Sequence, residues 1–65
     1  MKKQTAGEIL ELDSDYSLRE NYSGRFMYGK ETYAVVVPSR ADVGFLKKKY
    51  DGLKSDNMGK DYIVY

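Results

Sequence analysis

The chain has 65 residues, of which 42% are hydrophobic, with 11 basic and 10 acidic side chains for a net charge of +1. A chain of that length predicts one domain, burying only about 60% of the surface that its unfolded form exposes. With no cysteine and no histidine, disulfides, thiolate chemistry and the usual zinc ligand sets are excluded. The near-neutral balance argues against both an acidic nucleic-acid mimic and a strongly basic binder. An unstapled domain without secretion signals predicts a reducing cytoplasm, and no metal or cofactor is expected.

Met1-Lys2-Lys3 is followed by polar Gln4 and Thr5, which is not a signal peptide. Thr5-Ala6-Gly7-Glu8 fits a capping box, but Gly7 would sit in the first helical turn. Ile9, Leu10 and Leu12 do not continue on one helical face, so a strand from Glu8 to Leu12 is the preferred reading. Asp13-Ser14-Asp15 marks a turn, because these side chains bond their own backbone. From there to Ser23 the composition predicts an irregular link, with one helical turn around Ser17 to Asn21. Asp13-x-Asp15-x-Ser17 resembles half a calcium loop, yet Leu18 stands where that loop needs glycine and Gly24 where it needs an acid.

Tyr22 to Val37 carries the clearest signal. Gly29-Lys30 lies between two runs rich in aromatic and β-branched residues, and glycine first in a two-residue loop fits a type II′ hairpin. Alternation then places Tyr22, Phe26, Tyr28, Tyr33, Val35 and Val37 on a core face. Ser23, Arg25, Met27, Thr32, Ala34 and Val36 fall on an open one. The longest apolar run, Tyr33 to Val37, is far short of the ~18 residues of a membrane span.

Pro38-Ser39 ends the strand, and Ser39 with Asp42 caps a helix whose stripe is Val43, Leu46, Tyr50 and Leu53, running to about Lys54. Phe45 lies off that stripe. Either the helix begins nearer Phe45 and turns the ring inward in place of Val43, or the ring is an exposed anchor for a partner. Ser55 to Gly59 reads as a loop and Asp61 to Tyr65 as a closing strand, parallel to Thr32–Val37 by the crossover rule. The expected fold is α+β: about four strands, mostly antiparallel, with one helix on one face, in the order β-β-β-α-β.

Catalysis is not expected, since the general base would have to be a carboxylate, lysine or tyrosine in a domain with little room for a pocket. Protein binding fits better, through the open sheet face and exposed edges, with Arg25, Met27, Phe45 and Tyr65 as candidate contacts. The open face also suits a homodimer. The alternative is single-stranded nucleic acid, held by Lys47, Lys48, Lys54 and exposed tyrosines.

Residues 22 to 29, Tyr-Ser-Gly-Arg-Phe-Met-Tyr-Gly, are similar to a Tyr-Ser-Gly-Arg-x-Met-Tyr-Gly segment of small proteins of phages and mobile elements. The resemblance covers eight residues. It implies the setting of a phage-type accessory protein, a class that includes inhibitors and modulators of host proteins, and it implies no activity. Arg25 lies mid-segment, either as a contact residue or as a charge that keeps an exposed strand soluble, with Gly24 and Gly29 serving the backbone.

Overall fold

The computed structural model describes the backbone of all residues except Arg25 and Phe26, and the side chains outside 23–31. Among the described residues the fold is α+β, with the order α1 (Lys3–Leu10), β1 (Ser17–Gly24), β2 (Met27–Val37), α2 (Arg40–Lys49), β3 (Ser55–Met58) and β4 (Asp61–Val64). The strands form one antiparallel sheet ordered β1-β2-β4-β3. The expected class and strand number hold, while a second helix replaces the first expected strand.

That helix is α1. It buries Ala6 and Ile9, three residues apart, and Met1 and Leu10 pack partly against the same core. Leu12, which argued against a helical face, lies beyond the helix and is 45% exposed. The helix begins ahead of Thr5, with Lys2 at the N-cap and no side-chain cap bond. Met1 also joins the sheet: its amine donates to the Tyr33 carbonyl at 2.8 Å, and Tyr33 N–H donates to the Met1 carbonyl at 3.0 Å.

Asp13 to Asp15 form the expected turn, with Asp15 N–H donating to Asp13 Oδ1 at 2.8 Å. The next residues form β1, not a helical turn. Gly29 and Lys30 lie within β2, so the expected loop is not there. The last described pair before the chain reverses is Gly24 with Met27, and Arg25 and Phe26 lie outside the described residues. Glu20 pairs with Tyr33 but Tyr22 with Tyr28, so two steps along β1 match five along β2. Asn21, at φ +61, sits in this irregularity.

The bulge moves Tyr22 to the other face of the sheet. Val35 and Val37 share a core with both helices, as β2 alternation predicts, whereas Tyr22 packs with Ala34, Val36 and Ile63. The face expected to be open is therefore buried: Tyr22, Ala34 and Ile63 are 0% exposed. Tyr65 meets the Tyr22 ring edge-on at 5.3 Å, and Tyr22 OH donates to Asp56 Oδ2 at 3.0 Å. Thr32 Oγ1 donates to the Tyr22 carbonyl at 2.7 Å, tying the two strands beside the bulge.

The stretch read as a loop is β3. Met58 pairs with Asp61 around Gly59-Lys60, with Gly59 at φ +74, so the glycine-first loop occurs here. β4 runs antiparallel to β2, not parallel as expected, and the strand that the crossover sets parallel to β2 is β3. Because β2 and β3 are each antiparallel to β4, β2 and β3 run parallel with β4 between them.

The expected cap of α2 is present: Asp42 N–H donates to Ser39 Oγ at 3.2 Å, and Ser39 OH donates to Asp42 Oδ2 at 2.7 Å. Val43 and Leu46 are buried, and Tyr50 and Leu53 pack partly against the core. The helix ends at Lys49, short of Lys54, and Gly52 at φ +80 turns the chain toward β3. Tyr16 OH donates to Asp42 Oδ1 at 2.8 Å, fastening the segment before β1 to the start of α2. Burial first, and then the Asp42 carboxylate, push the Tyr16 phenol up to about 12.

A Cβ added at Gly44 would meet nothing within 4 Å. Gly44→Ala is therefore expected to stabilise by about 0.5–1 kcal/mol, and Gly59→Ala, at positive φ, to destabilise by about 1–2 kcal/mol, in denaturant titrations. A raised phenol pKa favours the folded state fully below the unfolded value near 10, and that contribution is lost as pH rises through about 12. Tyr16→Phe should cost about 1–2 kcal/mol at neutral pH. Its stability should also fall less steeply than that of the parent in alkaline titrations.

Candidate functional site

Among the described residues, two grooves and one helix face stand out once the cores are assigned. The first groove, of about 550 Å³, lies where Met1, the α2–β3 connection and Tyr65 meet. Tyr50, Leu53 and Tyr65 give it an aromatic and apolar lining, and Lys2, Asp51 and Lys54 give it charges of both signs. Lys54 and Tyr65 exchange both backbone hydrogen bonds at 2.8 Å, which fixes one wall.

Tyr50 OH points toward Glu8 Oε1 at 3.4 Å, a long contact, and Lys49 Nζ lies 5.9 Å from the Tyr50 ring centroid. Desolvation first, and then the Glu8 charge, raise the Tyr50 phenol. A tyrosine serving as a base at neutral pH needs the opposite shift. Among the described residues no group of three or more acidic side chains is placed to hold a metal ion, and Asp13 Oδ1 is engaged in its own turn.

The second groove, of about 410 Å³, runs between α2 and β3 and is bordered by Arg40 and Lys47. The helix face away from the sheet carries the third surface. Val43 is 8% exposed, so it keeps the inward position, and Phe45 is 53% exposed. Helical spacing brings Lys48 and Lys49 to its flanks one turn on.

The other candidate residues are dispersed. Met27 has its backbone in β2 and its side chain outside the described residues; Arg25 lies wholly outside them. Tyr65 is partly buried against Tyr22 and lines the first groove. Lys54 lines the first groove, Lys47 the second, and Lys48 neither. The three lysines thus share no single surface. Val36, expected on an open face, is buried in the second core with Ile63.

Arg40, Ser55 and Asn57 were not among the sequence candidates. The seven-residue spacing of Arg40 and Lys47 places both on one flank of a helix, which the sequence does carry. Their counterpart was hidden, because Ser55 to Met58 reads as a loop by composition.

Phe45→Ala is expected to change stability by less than about 0.5 kcal/mol, as for a solvated side chain. Val43→Ala should cost about 1–3 kcal/mol. Equal losses in a denaturant titration would mean that Phe45 is a core residue.

The chain matches no protein-family model, no curated protein and no solved structure.

Proposed function

We propose that the chain is a non-enzymatic protein-binding module of the cytoplasm, an accessory protein of the phage or mobile-element kind that modulates or inhibits a host protein. The observation that carries this reading is Phe45, an aromatic ring 53% exposed on the outer face of a capped helix. Core packing does not account for it, since Val43 and Leu46 fill the inward positions. A rigidly presented aromatic loses little entropy on docking, and such residues are typical binding hot spots. Exposed Lys48 and Lys49 beside it favour a partner with an apolar pocket and an acidic rim.

The geometry favours this reading over single-stranded nucleic acid. Strand binding calls for a continuous basic track with stacking rings along it. Here Lys47, Lys48 and Lys54 face three different surfaces, and Tyr22 is 0% exposed.

Among the described residues no helix is long and apolar enough to cross a membrane. Capture from host lysate with the parent chain is expected to recover a saturable protein partner that Phe45→Ala and Lys48→Glu lose while staying folded. Equal capture by the parent and both variants would reject this site. Binding to mixed-sequence oligonucleotides that falls steeply with salt would favour the nucleic-acid reading.

A further inference from the structure

We infer that the outer edge of β3, together with the Arg40–Lys47 flank of α2, is a strand-addition site for an acidic, extended protein segment. This surface is separate from the Phe45 face and stands or falls independently of it.

The backbone of β3 supplies the first part. Hydrogen-bonded and non-hydrogen-bonded pairs alternate along an antiparallel ladder. Lys54 and Tyr65 form a hydrogen-bonded pair, and the register continues unbroken through Ser55 with Val64, Asp56 with Ile63 and Asn57 with Tyr62. Asp56 therefore faces β4 with its N–H and C=O, while Ser55 and Asn57 aim theirs off the sheet. β3 is an edge strand, and among the described residues no backbone group pairs with that outer side. Two donors and two acceptors at every second residue are what an added strand engages.

Charge supplies the second part. Ser55, Asn57 and Tyr62 line the second groove together with Arg40, Val43 and Lys47. Asp56 also borders it, but its carboxylate accepts from Tyr22 on the other face. Among the described residues neither Arg40 nor Lys47 has an ion pair or side-chain hydrogen bond. They lie about 10 Å apart along the helix axis. Alternate residues of an added strand are ~7 Å apart, so two carboxylates on one face come within reach of both flexible cations. A phosphodiester backbone offers acceptors only, and cannot satisfy the outward carbonyls of Ser55 and Asn57. A peptide can.

The test uses the full chain and two short synthetic peptides, one alternating glutamate with valine and its lysine counterpart. Amide hydrogen exchange is followed residue by residue. The glutamate peptide is expected to protect the Ser55 and Asn57 amides, with the lysine peptide leaving them unchanged. Arg40→Glu with Lys47→Glu should weaken the glutamate peptide by about tenfold or more, and Phe45→Ala should leave it unaffected. Asn57→Pro should keep the β3–β4 pairing, because that N–H points away from β4, yet abolish the protection of the Ser55 amide. Absence of protection at Ser55 and Asn57, equal binding of both peptides, or equal binding by the charge-reversed chain would overturn the inference. So would protection of the same amides by rising protein concentration alone, which would assign the edge to a second copy.

Discussion

Three residue pairs, Val35 with Val64, Val36 with Ile63 and Val37 with Tyr62, join the two hairpins into one sheet. Each later layer depends on this seam. Val35 and Val64 present one face to both helices, while Val36 and Ile63 present the other to Tyr22. Because both faces are covered, consecutive residues of β4 are apolar and buried, without the alternation of a half-solvated strand. For a chain this short, burying two faces of one sheet offsets the small interior that its length permits.

What was legible in the sequence was local and independent of the seam. The cap at Ser39 and Asp42 and the inward position of Leu46 follow from helix geometry alone, whereas Val43 and Phe45 compete for the other inward place until the helix start at Arg40 decides for Val43. The glycine-first loop signal was a real one, but Gly-Lys occurs twice, and sequence does not rank the two copies. At Gly59-Lys60 the flanking strands are short and the loop closes them; at Gly29-Lys30 the dipeptide is absorbed into an irregular ladder. The helix α1 was hidden because its contact with the core is made partly by Ala6, which barely registers as apolar. Strand β3 was hidden by polar residues suited to turns, held extended because β4 needs a second partner.

The candidate surfaces differ in how far each depends on tertiary structure. Phe45 stands out in the sequence because it leaves the helical stripe, although the sequence alone also allows it inward in place of Val43. The β3 edge was invisible because no edge exists until β3 is known to be a strand. The face expected to be open is closed at Asn21, where a residue at φ +61 turns Tyr22 to that side of the sheet. That irregularity lets Tyr22 pack with Ala34, Val36 and Ile63. One helix serves several purposes: Val43 and Leu46 face inward, Lys47 faces β3, and Phe45 faces outward.

The hydrogen bond from Tyr22 to Asp56 joins β1 to β3, the two strands at opposite margins of the sheet. In mechanical terms it works as a clasp across an open ribbon. Peeling either margin away loads the other through one phenol and one carboxylate, so fraying at the two sides becomes a shared event instead of two separate ones. The sheet stays open in its backbone pairing, so this clasp couples the two margins through side chains alone.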